Sequence, residues 1–217
     1  QWRGEALPAH SAVAYALDLP RLAANARAAD ALVVADPTGD LPRTLDEVEA
    51  ILPLLRAGGW RVEPWTGAPM TRTMLAERLV RADLFHYAGH GLRNASNGWD
   101  AALLLGDDGV MDVRDVLALE HAPRWVVLTA CDSGTTSAGL VDGGMSLGRA
   151  FLLAGAEAVV VTDRPIEDRL AVVVGAGLYE SAERAGFDPV AALGRVQAAS
   201  SRAHGSGDWP AFRVLVR

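Results

Sequence analysis

The sequence predicts an α/β fold, a mainly parallel sheet with helices on both faces. Three observations carry this. Short continuous apolar runs, such as residues 31–35 and 124–130, read as strands buried on both faces. Between them lie segments whose apolar residues recur at helical spacing. The joins are short and no Pro-, Gly- or Ser-rich linker divides the chain, so residues 1–217 read as one domain.

The elements follow in order. Residues 1–30 are alanine-rich with few turn signals, and residues 19–29 are expected to form a helix. Residues 31–35 form a strand ended by Asp36-Pro-Thr-Gly39. Leu45, Val48, Ile51, Leu52 and Leu55 then make one helix face, and Gly58-Gly59 closes that helix. Residues 60–65 are a second strand. Thr71 starts a helix with Leu75, Leu79 and Val80 on its apolar face. Residues 83–88 are a third strand, which runs into Gly89-His90-Gly91. Residues 101–105 and Val110-Met111, around the turn Gly106-Asp-Asp-Gly109, read as a β-hairpin. Residues 112–119 look like a short capped helix. Residues 124–130 are the strongest buried strand and end at Cys131-Asp-Ser-Gly134. A helix over 145–153, a strand over 158–162, helices near 167–185 and 189–201, and a closing strand over 209–216 complete the chain.

Composition excludes several function classes. The chain is 50% hydrophobic and 22% charged, enough to bury a sizeable core. Its 20 basic residues are all arginine, against 27 acidic ones, for a net charge of −7. Without lysine there is no Schiff base, no Walker A lysine and no kinase strand lysine. The single cysteine, Cys131, cannot make an intrachain disulfide, a zinc ribbon or a CxxC pair. The acidic balance argues against a large nucleic-acid footprint. No stretch reaches the roughly 18 apolar residues of a membrane span, and no secretory signal is visible. One free cysteine suits a reducing compartment. The expectation is a cytoplasmic protein with neither membrane nor nucleic acid as partner. The chain opens on Gln1 and reads as a piece of a longer protein, with residues 1–30 an amino-terminal extension.

In open α/β sheets ligands bind beyond the carboxyl ends of the strands. Two strands end there in reactive residues, one at His90 and one at Cys131. If these strands are neighbours, both residues share one edge. An imidazole beside a thiol favours the thiolate. Gly89 and Gly91 allow close backbone approach, and backbone N–H groups near Gly91 and Cys131 could point at a developing oxyanion. Taken singly, a lone cysteine or histidine is more often core packing; the pairing at two strand ends is what raises the catalytic reading. His86 lies four before His90 on a strand, so the two do not form a helical metal pair, and no metal is expected. His86 reads as buried and structural; His10, His121 and His204 read as incidental loop residues.

His86-Tyr-Ala-Gly-His-Gly91 followed by Leu128-Thr-Ala-Cys-Asp-Ser-Gly134 resembles the CHAT-domain family of caspase-like cysteine peptidases, related to separase and gingipain. The likeness extends over about residues 31–216. It includes Ala31-Leu-Val-Val-Ala-Asp-Pro-Thr-Gly-Asp-Leu-Pro42, the segment 100–105, the helix 146–156 and the closing strand. The resemblance implies a caspase-like three-layer sandwich and peptide-bond hydrolysis without a cofactor. By it His90 matches the catalytic histidine, Cys131 the nucleophile, and the Gly91 and Cys131 amides the oxyanion hole. It also implies a protein substrate and activation by an upstream regulatory region or partner.

Substrate contacts are less determined. The segment Thr162-Asp-Arg-Pro-Ile-Glu-Asp168 departs from the Leu-Trp-Pro-Val of relatives at Asp163-Arg164. Asp163, Glu167 and Asp168 read either as a pocket for a basic side chain or, for Glu167 and Asp168 above all, as helix-cap acids. Asp132 reads equally as lining the site or capping the next turn. Trp99, just past His90, is a candidate substrate contact. The glycine-rich stretch 139–148 carries no phosphate motif and reads as a mobile loop flanking the cleft. A noncatalytic interaction module on the same fold is the competing reading. A flavodoxin-like nucleotide binder rests on fold analogy alone.

Overall fold

The computed structural model describes residues 12–20, 29–92, 99–130, 145–164, 166–180, 186–204 and 209–217. The first strand, β1 (Ala14–Ala16), falls inside the segment read as an extension. The helix expected over 19–29 falls mainly outside the described residues. The chain then forms β2 (Asp30–Ala35), α1 (Arg43–Ala57), β3 (Arg61–Thr66), α2 (Arg72–Leu79) and β4 (Leu84–Ala88). A hairpin region follows as β5 (Gly91–Leu92), β6 (Ala102–Gly106) and β7 (Gly109–Asp112), leading into α3 (Val113–Leu117). β8 (Trp125–Leu128), α4 (Leu147–Leu153), β9 (Ala158–Thr162), α5 (Asp168–Tyr179), α6 (Pro189–His204) and β10 (Phe212–Val216) complete the described elements.

Among these residues one sheet has seven strands, in the order β1-β10-β9-β8-β4-β2-β3. All neighbours run parallel except β10 against β9. Side chains alternate between its faces, as a pleated strand requires. Leu32, Val34, Phe85, Tyr87, Val126, Leu128, Val159 and Val161 pack with α2, α3 and α4 on one face. Ala31, Val33, Leu84, Val127, Val160 and Val214 pack with α1, α5 and α6 on the other. This is the mainly parallel three-layer sandwich predicted. The hairpin is a separate three-stranded antiparallel sheet, β5-β6-β7.

Local chemistry sets the helix ends. α1 stops where Gly59 takes φ +86°, a left-handed conformation that glycine adopts without a Cβ clash. Thr71 caps α2 by accepting from the Met74 amide, and Asp112 with Asp115 forms a reciprocal capping box on α3. Two expectations shift. The closing strand begins later, because Trp209–Ala211 is a turn of 3-10 helix, with Pro210 in it. β1 has no β-branched residue and exists by pairing with β10, a signal that periodicity does not carry.

β2 leads into α1 on one face, whereas β4 leads to the hairpin and α3 on the other. β2 and β4 are adjacent and parallel. Their carboxyl ends therefore flank a topological switch point, where open sheets leave a crevice.

Candidate active site

His90 stands at that crevice. β4 and β8 are neighbours, with Tyr87 opposite Leu128. His90 lies three residues beyond this pair on one strand and Cys131 three beyond it on the other. Cys131, Asp132, the glycine-rich residues 139–144 and His10 lie outside the described residues.

The backbone at His90 is held by two contacts. Its carbonyl accepts from the Leu104 amide at 3.0 Å and faces the Tyr87 hydroxyl at 2.9 Å. That hydroxyl also donates to the Leu104 carbonyl at 2.6 Å. Burial pushes the Tyr87 phenol far above its ordinary range, so it stays a protonated donor. Gly89 is required by closeness: a Cβ there would sit 2.7 Å from the Tyr87 hydroxyl. Gly91 pairs with Leu103 in the hairpin sheet.

The His90 ring is partly exposed. Its Nε2 lies 3.1 Å from Asp40 Oδ1, in the loop after β2. Thr38 Oγ1 donates to the same oxygen at 2.5 Å. The Thr38 hydrogen bond first, and the nearby imidazole after it, hold the Asp40 carboxyl below its ordinary range. Sequence reading did not single out Asp40; the Asp-Pro-Thr-Gly-Asp loop was visible, but its approach to His90 depends on β2 and β4 being neighbours.

A second polar group lies beneath the site, between the sheet and α1 and α5. His86 is fully buried, with Nδ1 3.0 Å from the Tyr179 hydroxyl. Its Nε2 lies 3.1 Å from Glu47 Oε1, yet outside hydrogen-bond alignment. Burial, with the Glu47 charge, pushes the Tyr179 phenol well above its usual range. Thr129 Oγ1 lies 3.2 Å from both Glu47 Oε2 and the Tyr87 carbonyl. Thr162 Oγ1 donates to the Ala130 carbonyl at 2.7 Å. The two residues before Cys131 are thus tied to α1, β4 and β9. His86 is buried, as the sequence predicts; Glu47, Thr129 and Tyr179 are partners that the sequence pattern does not single out.

The other candidates scatter. Asp163 receives the Arg213 guanidinium, with Nη2 at 2.6 Å and Nε at 2.9 Å from Oδ2, and Arg164 Nη1 at 3.1 Å from Oδ1. Its charge is met by two cations within the chain. Glu167 is exposed in the cap position of α5 and makes no side-chain cap hydrogen bond; Asp168 is the first residue of that helix. Trp99 is exposed in the loop between β5 and β6. His121 is exposed, and His204 ends α6 rather than lying in a loop. Among the described residues no helix is long and apolar enough to cross a membrane.

A CHAT-domain family model matches residues 4–216. The chain belongs to the CHAT family. No curated protein sequence matches it. Solved structures resemble the CHAT chain in fold. Saccharomyces cerevisiae separase, in complex with securin, matches with TM-score 0.59 and 14% identity, over 86% of this chain and 12% of that one. The Arg-specific cysteine proteinase gingipain R matches with TM-score 0.63 and 13% identity, over 87% of this chain and 46% of that one. A complex of pro- and mature domains from Porphyromonas gingivalis matches with TM-score 0.62 and 14% identity, over 87% and 47%. The CHAT chain thus spans less than half of each of these proteins, and what it shares with them is the caspase-like fold.

Proposed function

We propose that this chain is a cysteine endopeptidase that cuts a protein substrate with a His90–Cys131 dyad. One observation carries the reading: His90 is accessible at the carboxyl edge, one strand away from the strand that leads into Cys131. In this reading the Cys131 thiolate attacks the scissile carbonyl carbon, and the carbonyl electron pair moves onto oxygen. The amides of Gly91 and Cys131 meet that oxyanion. As the C–N bond breaks, the protonated His90 gives its proton to the leaving amine. A water then loses a proton to His90 and attacks the thioester, which releases the acid and restores the thiol.

Substrate choice follows from charge. Asp163 already faces Arg213 and Arg164, so a basic-residue pocket would rest on Asp132, Glu167 and Asp168 instead. The Arg specificity named for gingipain R is therefore not carried over through Asp163. We further propose that a regulatory region or partner controls access to the dyad, as the family resemblance implies.

The test is Cys131→Ala. Cleavage of peptide libraries and labelling by an electrophilic peptide ketone should both vanish, while the circular dichroism spectrum and melting temperature stay as in the parent. Labelling that survives the loss of Cys131 overturns the nucleophile assignment and favours the interaction-module reading.

A further inference from the structure

We propose that Asp40, backed by Thr38, is the positioning residue for His90: it holds the ring at Nε2 and leaves Nδ1 to work on the thiol and the leaving amine. This rests on the peptidase reading and adds to it a residue from a different strand's loop.

The geometry is that of a built support. The loop between β2 and α1 is closed on itself. Asp36 takes φ +47°, rarely adopted by a residue with a side chain, and its Oδ1 accepts from the Leu41 amide at 2.9 Å. Its amide donates to the Ala88 carbonyl at 3.0 Å, and its carbonyl accepts from the Gly39 amide at 3.2 Å. The loop is thereby fastened to the end of β4, the strand that leads into His90. Thr44 Oγ1 donates to the Leu41 carbonyl at 2.8 Å and fastens the far side. Within this frame Thr38 Oγ1 holds Asp40 Oδ1, the oxygen that faces His90 Nε2.

On the histidine side the backbone is already pinned at its carbonyl by Tyr87 and Leu104. Only the side-chain torsions are left to fix the ring. A contact at Nε2 settles them. A neutral imidazole has one N–H donor and one bare acceptor nitrogen. Asp40, as a carboxylate, only accepts, so it selects the form with the proton on Nε2 and the lone pair on Nδ1. A base oriented by a third group is the recurrent arrangement of activated nucleophiles. Both side chains are exposed, 65% for Asp40 and 40% for His90, so the support is a moderate one.

Three measurements on the chain test this. Asp40→Ala should lower kcat about tenfold while KM stays within about twofold, because orientation rather than substrate contact is lost. Asp40→Glu should recover part of kcat; Thr38→Val should cost less than Asp40→Ala, and Thr38→Ser should match the parent. The rate at which iodoacetamide alkylates Cys131 should fall in the same order, and this needs no substrate. By carbon NMR, the Asp40 carboxyl should titrate below its ordinary range and move back up in Thr38→Val, and by a smaller step in His90→Gln. If Asp40→Ala changes neither kcat nor alkylation while His90→Gln lowers both, the proposal fails and the peptidase reading stands. A rise in KM at constant kcat also overturns it, since Asp40 would then be a substrate contact. An Asp40 titration indifferent to both partners overturns it as well. If His90→Gln leaves alkylation unchanged, the dyad itself fails and takes the proposal with it.

Discussion

β4 carries His86 and leads into His90 two residues past its end, and each histidine faces a carboxylate at 3.1 Å. His86 and Glu47 are 0% and 1% exposed, whereas His90 and Asp40 are 40% and 65% exposed. The distances are equal and the environments opposite. In the buried pair neither partner can be exchanged for water, and Thr129, Tyr179 and Gly175 close around it. A Cβ on Gly175 would sit 2.7 Å from Glu47 Oε1. The exposed pair keeps its ring open to a reactant. Burial, not the contact, separates a pair that holds the fold from one available for chemistry.

The largest effect expected is on the buried side. Glu47→Ala takes the carboxylate from buried His86 and Thr129 and opens a cavity beside them; together these losses cost about 3–5 kcal/mol. At about 2–4 °C per kcal/mol for a chain of this size, the melting temperature should fall by roughly 10 °C. The paired replacement Glu47→Leu with His86→Leu should cost less than the sum of the singles, because neither change leaves the other polar group facing an apolar wall. Asp40→Ala should lower the melting temperature only slightly. Calorimetry on these variants checks the contrast: a Glu47→Ala protein that melts like the parent would erase it.

Gly89→Ala is expected next in size, and it acts where the two regions meet. The added methyl would press on the Tyr87 hydroxyl and ring, which are buried and bonded to two carbonyls. Overpacking of this kind costs about 1–3 kcal/mol. It should also shift the His90 carbonyl, so cleavage should drop together with chemical stability in urea. Loss of stability with full activity would show that His90 tolerates movement of its backbone, and that the exposed pair is not rigidly mounted on the buried one.

Much of this architecture was legible beforehand. The alternation of residues 31–35, 83–88, 124–130 and 158–162 with helical segments named the layers, because strands buried on both faces are unbroken apolar runs. His90 and Cys131 stand out in the sequence as candidates because each follows such a run. What was not legible is what reaches them from elsewhere. Asp40 is 50 residues from His90 in sequence and becomes its neighbour only through the β2–β4 pairing. Glu47 sits on α1, where a helix wheel reads it as one more acid; its burial is decided by α5 packing across it. Asp163 reads in the sequence as either a pocket acid or a cap acid, and Arg213 beside it comes from the antiparallel strand β10, 50 residues away. Local pattern reports which face a residue takes, and tertiary pairing decides what that residue meets.

The smallest expected effect concerns pH, and it sharpens the exposed side. The folded-state carboxyl of Asp40 lies below its ordinary range, chiefly through Thr38 and then through His90. As pH falls, the unfolded chain therefore takes up this proton before the folded one does. The contribution of the carboxylate is complete above the ordinary carboxyl value of about 3.9 and is lost as pH falls through the depressed one. The difference in melting temperature between the parent and Asp40→Asn should be small, flat from neutral pH down to about that value, and should close below it. Differential scanning calorimetry across mild to strong acid reads this directly. A difference that closes well above the ordinary value would assign the titration to another group and would detach Asp40 from its partners, leaving the buried His86–Glu47 pair as the contact that matters to the folded chain.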